Sequence, residues 1–110
     1  IIAGLRREDC IAEYHFVGQR ESTELPDEKT DELIRVLQGL STVELTAYQE
    51  SPEPKARISL ESGVYSLKLR YDGRRVHLQM QVRSMCSTNI TDWTITSDKL
   101  NALFEDLPVG

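Results

Sequence analysis

This chain is short of the residues from which catalytic centres are built. Its only histidines are His15 and His77, its only cysteines Cys10 and Cys86, and its six glycines follow no phosphate-binding spacing. Zinc sites and nucleophile–base pairs need several such groups at defined intervals, and no such interval is present. Each histidine falls on the polar side of a predicted strand and reads as a solvated side chain. Cys86, between Met85 and Ser87, lies in no nucleophile motif. Gly63 and Gly73 punctuate strands and Gly39 ends a helix, which excludes a glycine-rich phosphate loop. The carboxylates Asp27, Glu28, Asp31 and Glu32 cluster at a helix start, where they favour the helix dipole, rather than forming an acid/base pair. The sequence therefore predicts no enzyme, no cofactor and no metal.

Long apolar runs are lacking too. No stretch approaches the ~20 residues of a membrane span, so no membrane insertion is expected. Positive charge is in deficit, with 13 Lys and Arg against 18 Asp and Glu and a net charge of −5. That balance excludes a general nucleic-acid binder, which needs a positive field to displace phosphate counterions. The first residue is Ile1 rather than methionine, which suggests a trimmed or mature form that has lost a leader. Two cysteines allow one disulfide in an exported protein. Cys10 precedes a strand and Cys86 follows one, so Cys10–Cys86 is a candidate bridge against the alternative of two free thiols.

What the chain does have is patterning for one domain over 1–110, long enough to bury about two-thirds of its unfolded surface, with 1–9 expected as a flexible N-terminal segment. Ala12, Tyr14 and Phe16 alternate with Glu13 and His15 as in a half-buried strand. From Asp27 to Leu40, the residues Leu33, Ile34, Leu37 and Leu40 form one helical stripe, closed at Gly39. Val43, Leu45 and Ala47 alternate again, and Ser51-Pro52-Glu53-Pro54 then reads as a stiff connection. Ala56, Ile58 and Leu60 share a strand face. Trp93 and Ile95 sit on a last strand, and Ser97 caps a helix carrying Leu100, Leu103, Phe104 and Leu107 up to Pro108. The fold class is α+β, with the order β-α-β-β-β-β-β-α. About five or six strands would make a single antiparallel sheet, with two helices on one face.

The most specific stretch is Val64 to Val82. Asp72-Gly73 suits a two-residue hairpin turn, which would set Leu69 opposite Val76, Leu67 opposite Leu78 and Tyr65 opposite Met80. The other side would then pair Arg70 with Arg75 and Lys68 with His77. Lys68, Arg70, Arg75 and His77, adjoined by Arg57 and Arg83, become a candidate basic sheet face for an anionic ligand or a protein partner. Glu13, Glu44 or Glu61 from neighbouring strands could instead neutralise it from within. Directly opposed arginines cost a few tenths of a kcal/mol unless an anion offsets them.

The segments ELPDEKTDELIRVLQGL, YSLKLRYDGRRVHLQM and DWTITSDKLNALFEDL, spanning Tyr14 to Leu107, resemble small extracytoplasmic domains of unknown function in secreted proteins and lipoproteins of Gram-positive bacteria. The resemblance implies a secreted or surface-anchored, non-catalytic binding or accessory module. One helix followed by an antiparallel meander is also similar to cystatin-like inhibitors, but Gln81-Val82 leads to Arg83-Ser84 rather than to their Gln-x-Val-x-Gly loop. A small inhibitor or immunity-type protein that blocks a partner through its acidic helix is the alternative.

Overall fold

A computed structural model describes residues 4–50 and 53–107. Seven strands, β1 (Ile11–Phe16), β2 (Thr23–Glu24), β3 (Leu45–Ala47), β4 (Ala56–Ser62), β5 (Tyr65–Tyr71), β6 (Val76–Arg83) and β7 (Thr88–Ile95), form one antiparallel sheet in the order β2-β1-β4-β5-β6-β7-β3. Helix α1 (Asp27–Gln38) carries the chain from one edge of the sheet to the other, and α2 (Asp98–Glu105) follows β7. The α+β class and the single sheet match the sequence reading. The sheet is wider than the five or six strands expected, because β2 adds a two-residue edge. So short a strand carries no periodicity of its own.

The helices lie on the apolar face because each presents one stripe to it. Leu33, Ile34 and Leu37 of α1, and Leu100, Leu103 and Phe104 of α2, are buried against Ile58, Leu60, Leu67, Leu69, Val76 and Leu78 of the sheet. Thr30 is the polar member of the α1 stripe. Its hydroxyl donates to the Pro26 carbonyl at 3.1 Å, which removes the cost of burying it. Ser97 caps α2 as expected, its Oγ accepting the Leu100 N–H at 3.4 Å. The helices run antiparallel: Lys29 near the start of α1 pairs with Asp106 just beyond α2. This contact holds the Lys29 ammonium above, and the Asp106 carboxyl below, its ordinary range.

The β5–β6 hairpin differs from expectation in register but not in face. Tyr71 pairs with Val76, Leu69 with Leu78 and Leu67 with Met80, two residues away from the predicted alignment. The tight turn would have put Tyr71 opposite Arg74 on the apolar side. Instead the loop takes four residues, Asp72 to Arg75. Its Asp72 Oδ1 accepts the N–H groups of Arg74 and Arg75, each at 2.8 Å, and Gly73 adopts a φ of +101°. Tyr71 is thereby buried, stacked on Phe104 with ring centroids 5.1 Å apart. A shift of two preserves the parity of every side chain, so Leu67, Leu69, Val76 and Leu78 point inward as predicted.

Two other expectations change. Val43 is 81% exposed, in a turn before β3, and Ala47 is exposed at the β3 end, where the sheet edge leaves nothing to cover it. The N-terminal segment, expected to be loose over 1–9, is held from Leu5 onward: Leu5 enters the core, its carbonyl accepts from Gln38 Nε2 at 3.2 Å, and Arg7 pairs with Asp27 at 3.3 Å. Residues 1–3, the first half of the Ser51–Pro54 connection and the stop at Pro108 lie outside the described residues.

Candidate functional site

Among the described residues, no helix or further strand packs on the face of the sheet opposite α1 and α2, though Tyr48 and Gln49 from the β3–β4 connection reach His77, Thr94 and Arg75 on it, and its side chains fall into rows across the strands. One row reads His15, Arg57, Arg70, His77 and Thr94, each the direct cross-strand partner of the next. The next row reads Glu24, Glu13, Ser59, Lys68, Gln79 and Asp92. Basic groups occupy the middle of the face and acids its margins. The predicted opposition of Arg70 to Arg75 does not occur, because the longer loop moves His77 opposite Arg70. A different pair of like charges takes its place: Arg57 of β4 is the direct partner of Arg70 of β5.

The sequence left open whether carboxylates neutralise this row from within. Among the described residues, none of Arg57, Lys68, Arg70 and Arg75 has a carboxylate partner within 4.0 Å. Glu44, one of the candidates, is occupied elsewhere: it accepts the Ser41 N–H at 3.0 Å, which lowers its pKa.

The two histidines bracket the arginines and are held in place. His15 Nε2 lies 2.6 Å from the Gln19 carbonyl and so donates to it, leaving Nδ1 as an acceptor for Arg57 Nη2 at 3.5 Å. His77 Nε2 lies 2.8 Å from Asp92 Oδ1. Tyr48 covers its ring with centroids 4.6 Å apart. Next to Tyr48, the Gln49 N–H donates to Thr94 Oγ1 at 2.8 Å, and Gln49 Oε1 accepts from Arg75 Nη1. Arg75 therefore joins the face from the hairpin loop, through Gln49. Arg57 belongs to the row, whereas Arg83 lies at the far end of β6, opposite Thr88.

Beneath the β1–β2 loop, Glu13, His15, Ser22, Arg57, Ser59 and Lys68 line a recess of about 160 Å³. That is too small for a drug-sized ligand, which takes some 300 Å³ or more, but it suits a single carboxylate or phosphate group. Guanidinium and ammonium groups without carboxylate partners, flanked by hydroxyls, can bind an oxyanion by charge-assisted hydrogen bonds. No group of three or more metal-ligating side chains occurs among the described residues.

The cysteines are not bonded. Cys10 is a half-buried thiol before β1 and Cys86 an exposed one in the β6–β7 loop. Both lie near strand ends, as expected, and at the same end of the sheet, but β4 and β5 stand between β1 and β6. Three strand spacings amount to about 14 Å, twice what a disulfide spans. Burial pushes the Cys10 thiol pKa up. Trp93 faces the helices, half-buried against the core.

Comparison with protein families, curated proteins and solved structures finds no match to this chain. No described helix is long and apolar enough to cross a membrane.

Proposed function

We propose that this domain is a non-catalytic binding module whose open sheet face takes an anionic ligand or the acidic segment of a protein partner. The observation that carries the reading is the contrast between its two charged surfaces. On α1, Asp27 pairs with Arg7, Asp31 with Arg35 and Glu32 with Lys29, so most of the acidic helix surface is compensated from within. On the sheet, Arg57, Lys68 and Arg70 have no such compensation, and two of them oppose each other directly. Uncompensated like charge on a rigid sheet is the arrangement that gains from an external anion. The same contrast weighs against an inhibitor acting through the acidic helix. An extracytoplasmic setting rests on the sequence resemblance alone, and fractionating cells that express the native gene tests it.

The binding reading is tested by titrating wild type and an Arg57→Gln/Arg70→Gln variant with a poly-glutamate peptide and with inorganic phosphate. Wild type is expected to bind the polyanion with an affinity that falls as salt rises, and the variant to lose at least about tenfold, the equivalent of ~1.4 kcal/mol. Equal binding by the two proteins would remove this face as the site.

A further inference from the structure

Beyond the anion-binding face, the two edges of the sheet differ in a way that points to a second interaction. The β1 edge is guarded: β2 covers Glu13 and Tyr14, and the pair it forms there, Glu13 with Glu24, sets two carboxylates opposite each other. Such a margin repels an added strand. The β7 edge is guarded only in part, because β3 pairs with Trp93, Thr94 and Ile95 and stops. Thr88 to Asp92 are paired to β6 alone among the described residues.

The direction of the free groups follows from the β3 contact. The Thr96 N–H donates to the Glu44 carbonyl on the β3 side at 2.9 Å. The β6–β7 register is continuous from Val76–Ile95 to Arg83–Thr88. Alternation along the strand therefore directs the N–H and C=O groups of Thr88, Ile90 and Asp92 outward, away from β6. The segment carries no proline, lysine or bulge, the usual devices that blunt an edge. Ile90 at its centre is 54% exposed, and Met85 at the adjoining hairpin tip is fully exposed. All five residues are exposed, so neither helix overhangs them.

We infer that Thr88–Asp92 is a self-association edge, pairing antiparallel with the same segment of a second copy about a two-fold axis through Ile90. The occupant is a second copy because the open segment is complementary to itself. Ile90 meets Ile90, and Thr88 meets Asp92 on each side. Three outward-facing residues from each chain then exchange all their free N–H and C=O groups. The segment's one charged side chain, Asp92, already bonded to His77, faces a neutral hydroxyl rather than its own copy. Beyond either end, the partner's hairpin tip abuts the end of β3, which fixes the overlap at this length. A two-fold axis perpendicular to the sheet keeps the like faces of both copies on one side. The dimer thus presents two basic rows on one continuous surface, with all helices behind it, a geometry that favours an extended polyanion through avidity.

Sedimentation velocity over rising protein concentration tests this. So short a seam is expected to give a weak dimer, half formed on the order of 0.1 mM. Ile90→Pro deletes an outward donor while sparing the β6 ladder, and Ile90→Lys opposes two ammonium groups. Both are expected to remain folded by circular dichroism and to weaken association at least tenfold. In a Cys10→Ser/Cys86→Ser background, Ile90→Cys is expected to crosslink under mild oxidation, since opposed residues of a hydrogen-bonded pair lie about 5.5 Å apart. Thr88→Cys, whose counterpart lies about 14 Å away along the strand, is expected not to. A wild-type protein that stays monomeric to 1 mM, Ile90 variants that dimerise like wild type, or equal crosslinking through Thr88→Cys would each overturn the inference. So would a monomer that adds a free extended peptide at β7 instead of its own copy.

Discussion

If the central row is uncompensated, removing one of its charges should not harm the fold. Arg57 and Arg70 are direct cross-strand partners, one exposed and one half-buried, with no acid within ion-pair distance among the described residues. Two unit charges at an assumed separation of about 7 Å would repel by roughly 0.6 kcal/mol in water, and salt at 0.15 M would reduce this to about 0.3 kcal/mol. Either Arg57→Gln or Arg70→Gln is therefore expected to leave stability unchanged or raise it by a few tenths of a kcal/mol. The double variant should gain less than the sum of the singles. Urea unfolding followed through Trp93, the only tryptophan, measures all four proteins of this cycle. Sodium phosphate in place of chloride should stabilise wild type, by mass action on the folded state, and not the double variant. A loss above about 1 kcal/mol in either single variant would refute the reasoning. It would mean that the fold needs the guanidinium charge and does not hold it available for an external anion.

Four further outcomes follow from the packing. Leu69→Ala removes a side chain with no exposed surface between β4 and β6 and is expected to cost 2–5 kcal/mol in urea unfolding. Ser97→Ala deletes the cap of α2 and should cost about 1 kcal/mol in the same assay. Burial first, and then the Glu105 carboxylate that accepts its hydroxyl at 2.8 Å, push the Tyr71 pKa up to about 12. An unfolded tyrosine ionises near 10. The folded state therefore retains a proton that the unfolded state has lost between those values, and stability should fall as pH rises from about 10 through 12. Tyr71→Phe should flatten that slope, and ultraviolet titration should show one fewer late-ionising phenol. Of the two thiols, Cys86 should react with a disulfide reagent in the native protein at a rate near that of a free thiol, with Cys10 slower. Equal rates would contradict their burial.

The parts of this fold that were legible in the sequence were those fixed by side-chain parity. Leu67, Leu69, Val76 and Leu78 segregate from Lys68, Arg70 and His77 at any even register, so the two faces could be read without knowing the turn. The turn is not legible in the sequence because Asp72-Gly73 fits a tight reversal locally, whereas the burial of Tyr71 against Val76 and Phe104 is a tertiary gain that no hairpin rule contains. The displacement mattered for the candidate site. It exchanged Arg75 for His77 opposite Arg70, and it left the true like-charge pair, Arg57 with Arg70, to be made by strands whose register is set by the short Ser62–Tyr65 turn. The signal for Arg57 was its alternation with Ala56 and Ile58. That Arg57 falls level with Arg70 depends on where β4 ends. Of the edge strands, β2 is too short to show a period, whereas β3 was legible in the alternation of Val43, Leu45 and Ala47, although only Leu45–Ala47 pair, along the end of β7.

The central claim is that the open sheet face, and not α1, meets the partner. Amide chemical-shift mapping with an acidic peptide tests it most directly. Perturbations are expected to concentrate at His15, Arg57, Lys68, Arg70 and His77 and to vanish in the Arg57→Gln/Arg70→Gln protein. Shifts centred on Asp27 to Arg35, or none up to millimolar peptide, would contradict it.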